Sequence, residues 1–359
     1  MASSEDATTL TARCLCNAHV YSTKVPNSNL PLKASACHCN SCRHNLGTLY
    51  HIGTPWPEPY ANVDTSSLKT YSFTPNYNIR FCGTCSTPMF FEGAKEPHFL
   101  QVLTGTIDNV PGDIIKITRN IFIGDTLDGG ASPWLRNPNA DGTPVPRFLL
   151  RTEELPSDWP TAVPAQKPSN TVPIRCHCRG IDFLLHRADF SHTQPQDMPW
   201  YVDATTQKLR SGFCACDSCR LFTGTDMYNY FFASLAHMTL SDSTTRLPAS
   251  QAALKAAVDA GDAGLGTLAY YASSGPVQRY FCRRCSARVF YVHDDRDEVV
   301  DVAVGLLEAG EGARAEGWVA WGGGGVSAKG DVQGGWREGF VGRLERGSRA
   351  WGKGGDVES

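Results

Sequence analysis

All fourteen cysteines of this chain fall into two copies of one spacing pattern. The first copy carries Cys14 and Cys16, then Cys37, Cys39 and Cys42, then Cys82 and Cys85. The second carries Cys176 and Cys178, then Cys214, Cys216 and Cys219, then Cys282 and Cys285. Pairs spaced CxC or CxxC present two thiolates to one ion, because Zn–S bonds of roughly 2.3 Å and tetrahedral angles suit such short loops. A closed structural zinc site takes four ligands, whereas a reactive one takes three and keeps a position open. Seven cysteines per copy divide as four plus three.

The even count also permits a disulfide framework. Three features weigh against it. Residues Met1 to Leu10 are polar and acidic, without the basic and apolar segments of a secretory signal. A chain of 359 residues can bury ordinary cores without staples. CxC neighbours, moreover, would close a badly strained ring. The formal charge of −3 provides no general attraction to nucleic acid or anionic membranes. Val299 to Leu307, the longest apolar stretch, is broken by Asp301 and is too short to span a bilayer. The expectation is a protein of the reducing cytoplasm, with no membrane partner.

The elements around the cysteines read as β structure. Phe99–Thr104 and Val299–Val304 are apolar or β-branched runs that end at Gly105 and Gly305. Each late CxxC lies between apolar arms, Ile79–Phe81 with Met89–Phe91 and Arg279–Phe281 with Val289–Tyr291, as in a hairpin with a zinc-binding turn. The reading is two domains, 10–135 and 174–336. They are joined by a proline-rich linker, 136–173, whose part from Val145 to Glu154 can pack on the first domain. The stretch from Cys214 to Cys282 is longer than its counterpart by an insertion, Ser250 to Gly261, that reads as a helix with a serine N-cap and a terminating glycine. Glycine-heavy sequence begins at Gly310, but Gly330-Asp331 echoes Gly124-Asp125, so a degenerate final strand and loop is expected to about Trp336. Residues 337–359 are expected to be a flexible tail.

Duplication lets each copy test the other. His38 corresponds to Ala215 and His44 to Leu221, so neither histidine is a ligand common to both copies. The outer cysteines form complete sets: Cys14, Cys16, Cys82 and Cys85, and Cys176, Cys178, Cys282 and Cys285. Such a set would tie the first strand to the last hairpin. The middle triads, Cys37, Cys39, Cys42 and Cys214, Cys216, Cys219, have three thiolates each. Three thiolates leave zinc with a net charge near −1, poor for activating water but well suited to holding a fourth thiol as thiolate. The alternative is a second structural zinc completed by an Asp, a His or water.

The order CxC, CHCxxCR, FCxxC, then an apolar strand, resembles the glutathione-dependent formaldehyde-activating enzyme family, which includes the centromere protein V group. The matching residues are Cys14–Cys16, Cys37–Arg43 with Gly47, Phe81–Cys85, Thr104–Asp108, Ile121–Ile123 and Trp134-Leu135. In the second copy they are Cys176–Cys178, Cys214–Arg220 with Gly224, Phe281–Cys285 and Gly305–Glu308. The resemblance covers about residues 10–135 and 172–310. It implies a mainly β, tandem duplicated β-tent architecture, up to four zinc ions per chain, glutathione as co-substrate and carbon–sulfur lyase chemistry on a small thiol adduct. Departures are Ser86 and Ser286 where glycine commonly follows the CxxC, His44 and Leu221 where lysine commonly follows the arginine, and Ala215 at the middle histidine. They point to the first copy as the more active. A non-catalytic zinc module that binds protein or nucleic acid is the alternative. Arg283-Arg284 at one hairpin tip favours it, while Gly83-Thr84 at the other and the acidic charge do not.

Overall fold

The computed structural model describes residues 6–156, 159, 169–241, 244–321 and 325–352. In the first copy, β1 (Ala7–Arg13) and β2 (Val20–Pro26) pair antiparallel. They are followed by β3 (Leu32–Cys37), α1 (Asn40–Leu46), β4 (His51–Pro55), β5 (Lys69–Thr74), β6 (Tyr77–Phe81), β7 (Pro88–Gly93), β8 (Leu100–Leu103) and β9 (Ile115–Ile121). These strands form one sheet of order β5-β6-β7-β8-β4-β3-β9, in which only β9 runs parallel to its neighbour.

The second copy repeats this plan. Its strands are β10 (Thr171–Arg175), β11 (Asp182–His186), β12 (Leu209–Cys214), β13 (Tyr228–Ser234) and β14 (Met238–Leu240), with α2 (Asp217–Thr223) after β12. Then come α3 (Gln251–Asp259), β15 (Leu268–Ser274), β16 (Val277–Cys282), β17 (Arg288–His293), β18 (Val299–Ala303), β19 (Val319–Ala320), β20 (Val326–Ser327) and α4 (Trp336–Gly352). The large sheet has the order β15-β16-β17-β18-β13-β12-β19, with β20 also on β12. The chain is mainly β and duplicated. α3 is the inserted helix, capped by Ser250 Oγ accepting from Ala253 N at 3.2 Å.

Each middle cysteine motif folds by the same local rule. Cys39 and Cys216 are helix N-caps whose sulfurs accept from the backbone N–H of Cys42 and Cys219, both at 3.3 Å. Gly47 and Gly224 then end the helices in the left-handed region, at φ 73° and 72°. The Gly-Asp echo is also structural. Asp125 accepts from Asn40 N and Asp331 from Asp217 N, both at 3.0 Å, so each aspartate anchors the first turn of the helix that follows the triad's CxC. Ser86 and Ser286 both have φ 62°, a left-handed conformation that glycine adopts more readily than serine.

The copies pack face to face through reciprocal contacts. Gly105 N donates to Gly224 O and Gly305 N to Gly47 O, each at 3.2 Å. A Cβ on Gly105 would lie 2.2 Å from the Gly224 carbonyl carbon, and one on Gly305 would lie 2.3 Å from Thr48 O. Between them the buried Arg288 donates to Phe222 O, Ser286 O and Ser86 O, tying both hairpins to α2. One continuous hydrophobic core spans the two copies.

The end of the chain corrects the expected tail. Residues 336–352 form α4, with Phe340, Val341 and Leu344 buried. Arg337, wholly buried, pairs with Asp226 at 2.7 Å and donates to the carbonyls of Thr104 and Ile107. These contacts outweigh the poor helix propensity of its glycines. Residues 353–359 lie outside the described residues. Within the expected linker, Pro146–Leu150 runs beside β9: Asn120 N donates to Pro146 O and Phe122 N to Leu150 O. Pro160, Pro164 and Pro168 lie outside the described residues.

Candidate metal centres

The first four-thiol set brings β1's end to the β6–β7 hairpin. Cys14, Cys16, Cys82 and Cys85 have their sulfurs within 4.8 Å of one another. The separations are 3.5 Å for Cys14–Cys16 and 3.6 Å for Cys16–Cys82. A tetrahedron with Zn–S bonds of roughly 2.3 Å has edges of about 3.8 Å, so the spacing fits a zinc ion. Backbone N–H groups point at the sulfurs, as His19 N does at Cys14 Sγ, 3.3 Å away. Cys176, Cys178, Cys282 and Cys285 repeat this arrangement, at 3.6 Å for Cys176–Cys178 and 3.5 Å for Cys178–Cys282. All fourteen cysteines are unpaired, so none of the disulfides considered from the count is formed.

The middle triads differ between copies. Cys214, Cys216 and Cys219 converge within the same limit. In the first copy the convergent group is Cys37, Cys42 and His51. Cys39 joins it through thiol hydrogen bonds with Cys37 and Cys42, which pull its own pKa far down, while Cys37 and Cys42 are pushed up. Sequence reasoning did not find His51. It is the cross-strand partner of Cys37 in the β3–β4 ladder, buried, with its ring stacked on Phe91 at 4.8 Å. Burial lowers its pKa to about 4, so it is neutral, and its Nδ1 has no protein partner. The residue at its place in the second copy is Tyr228, opposite Cys214. Comparing the copies would therefore have rejected His51 as it rejected His38 and His44.

Those two exclusions have structural causes. His38 is buried against Asn120 Oδ1 at 3.1 Å, and His44 Nδ1 faces Arg175 O of the other copy at 2.6 Å. Near the second triad stands Arg279, whose Nη1 donates to Cys219 Sγ at 3.4 Å. Its counterpart in the first copy is Ile79, since Ile79 faces Tyr71 as Arg279 faces Tyr271. An arginine on that sulfur favours its thiolate form and gives it a hydrogen-bond donor that the first triad lacks at this position.

The first triad is roofed by aromatic side chains. Phe73 and Phe91 pack with Cys37 and Cys42, with Tyr71, Tyr77 and Phe122 at the margin. His177, from the second copy's CxC loop, reaches across: its ring lies 4.7 Å from Phe73 and its Nδ1 2.6 Å from Tyr71 Oη. Beside it, between the copies, a cavity of about 380 Å³ is lined by Asn40, Ser41, Arg43, His44, His177, Arg179 and Glu308, among others. Among the described residues no helix is long and apolar enough to cross a membrane.

Compared with known proteins, the chain matches the family model described as glutathione-dependent formaldehyde-activating enzyme over residues 9–125 and 201–320. The second match begins after Cys176 and Cys178, which the fold nevertheless brings to Cys282 and Cys285. No curated protein and no solved structure matches it.

Proposed function

The chain belongs to the glutathione-dependent formaldehyde-activating enzyme family, and from that premise we propose that it is a carbon–sulfur lyase that joins glutathione to an aldehyde carbon and reverses that reaction. The observation that carries this reading is the pairing, in each copy, of a four-thiol cluster with a separate three-residue group, Cys37, Cys42 and His51 in the first and Cys214, Cys216 and Cys219 in the second. In this reading Cys14, Cys16, Cys82, Cys85 and Cys176, Cys178, Cys282, Cys285 hold structural zinc. Cys37, Cys39, Cys42 and Cys214, Cys216, Cys219 hold the other ions, up to four per chain. A zinc ion held by three thiolates keeps an added thiol as thiolate at neutral pH.

The protein's own groups then position the reactants. Half-buried Cys39 at the start of α1 leaves the first triad open on one side, while Phe73, Phe91 and Tyr71 exclude water on the other. The proton of an incoming thiol leaves to water, since the buried His51 beside Cys37 and Cys42 is too weak a base to hold it near neutral pH. As the sulfur attacks the carbonyl carbon, a C–S bond forms, the π electrons move to oxygen, and that oxygen takes up the proton. The second copy, with Arg279 on Cys219 and Tyr228 in place of His51, serves as packing partner. Unpaired cysteines suit a reducing compartment such as the cytoplasm.

The experiment is turnover of formaldehyde with glutathione, followed by formation of the S-hydroxymethyl adduct, across a panel of aldehydes. Loss of activity in Cys39→Ala, with Cys216→Ala retaining it, supports the assignment. No turnover with any aldehyde and no perturbation of a cobalt-substituted protein by glutathione would leave a non-catalytic zinc module instead.

A further inference from the structure

In the first middle site a histidine stands where a further sulfur could. His51 is opposite Cys37 in the β3–β4 ladder, and such cross-strand pairs bring their Cβ atoms within roughly 4.5–5.5 Å on one face of the sheet. One of its ring nitrogens lies within 4.8 Å of the sulfurs of Cys37 and Cys42. Bonds of roughly 2.0–2.1 Å to nitrogen and 2.3 Å to sulfur, at tetrahedral angles, put such donors about 3.6 Å apart, so small side-chain shifts bring all three to one ion. The ring is held against Phe91, with centroids 4.8 Å apart and planes at 25°.

His51 is 5 % exposed, and its Nδ1 is buried with no hydrogen-bond partner. A buried imidazole nitrogen without a partner costs stability, and a metal bond would remove that cost. His38 and His44 are buried nearby but turn ring nitrogens to Asn120 and Arg175, and neither belongs to the group with the sulfurs. Cys39 lies across from His51: its sulfur hydrogen-bonds with Cys37 and Cys42 but falls outside the group that contains the histidine. Three thiols and an imidazole therefore approach one point from β3, the start of α1 and β4. The second copy keeps the cysteines and the register but has Tyr228 opposite Cys214, and a neutral phenol is not among the usual donors to zinc.

We propose that His51 is the fourth ligand of the ion held by Cys37, Cys39 and Cys42, so that the first middle site is completed from within the chain while the second offers three thiolates alone. This rests on the reading of the middle cysteines as zinc ligands, and it does not require turnover. Under the lyase reading, an added thiol reaches the first site by taking the place of the imidazole. Two sites alike in their cysteines thus differ in donor set, because the position opposite the first cysteine is histidine in one ladder and tyrosine in the other.

Cadmium magnetic resonance of the full chain, loaded with that metal and isotopically labelled in its histidine nitrogens, tests the ligand without any assay of activity. One cadmium resonance should be split by an imidazole nitrogen. In His51→Ala the splitting should vanish while the resonances of the four-thiol clusters stay in place. His51→Tyr, which installs the second copy's residue, should do the same. Either variant should yield this ion to a chelator at concentrations at least about tenfold lower, since even the outer partners of a metal ligand are worth roughly 10–100-fold in affinity. The parent spectrum needs no variant: if no cadmium resonance is coupled to nitrogen, His51 is not a ligand. Splitting that survives in folded His51→Ala belongs to another histidine and overturns the proposal equally. Glutathione separates this from the lyase. Splitting that persists in its presence keeps His51 as ligand and rejects thiol entry at this ion, whereas a glutathione-dependent shift with no splitting beforehand rejects the ligand and retains the open triad.

Discussion

Replacing Gly105 with alanine should break the contact that holds the two copies together. The added Cβ would lie 2.2 Å from the Gly224 carbonyl carbon and 2.3 Å from Thr225 N. Both are backbone atoms, so no side-chain rotation relieves the clash, and the Gly105 N to Gly224 O bond at 3.2 Å must lengthen. Overpacking of buried sites costs typically 1–3 kcal/mol; with only backbone to yield, about 3 kcal/mol is expected. For a cooperative unit of one copy's size that is roughly a 6–12 °C fall in melting temperature. Gly305→Ala should behave alike, because its Cβ would meet Thr48 O at 2.3 Å. Gly275→Ala is the control: a Cβ there meets nothing within 4 Å, and a change of less than about 0.5 kcal/mol is expected. Urea unfolding followed by circular dichroism, with the zinc-loaded protein, gives the three values. If Gly105→Ala and Gly275→Ala unfold at the same urea concentration, the reciprocal packing of the two copies is wrong.

Elemental analysis of protein purified under reducing conditions should approach four zinc ions per chain, and two or fewer without loss in purification would reject the four-plus-three division of the cysteines. Cys85→Ser should lower stability markedly, because its cluster joins β1's end to the β6–β7 hairpin, whereas Cys42→Ser should melt close to the parent and lose thiol-dependent activity; equal melting would remove the distinction between structural and reactive sites. Asp226→Ala should cost about 3–5 kcal/mol, since it leaves the buried Arg337 charge unpaired, and a neutral outcome in chemical denaturation would mean that α4 does not dock as described. Arg279→Ile, which gives the second triad the first copy's residue, should slow alkylation of Cys219 by iodoacetamide near neutral pH in metal-free protein, because the guanidinium favours the thiolate; an unchanged rate by peptide mapping would show that the 3.4 Å contact does not act on that thiol.

The sequence alone determined what short covalent reach can determine. Cysteines two or three positions apart must face the same small volume, so Cys14 with Cys16 and Cys82 with Cys85 were legible as half-sites, and the duplicated order matched them into sets of four. The N-cap serine at 250 and the glycine at 261 likewise specify α3 from within a dozen residues, because capping is a local hydrogen bond. Tertiary structure decided the rest. His51 meets Cys37 only through the register of β3 on β4, and no spacing rule encodes that partnership. Arg279 reaches Cys219, and His177 reaches Tyr71, by packing between segments far apart in the chain. The glycine-rich end reads as a tail by composition, yet Arg337 finds Asp226 in the core and α4 forms around that contact. Both levels meet at the arginines of the matching motifs: Asn40 against Asp217 is written in the sequence, but that Arg220 also reaches the carbonyls of Gly105 and Ile107 in the other copy, while Arg43 Nε and Nη1 stay without partners, is a result of packing.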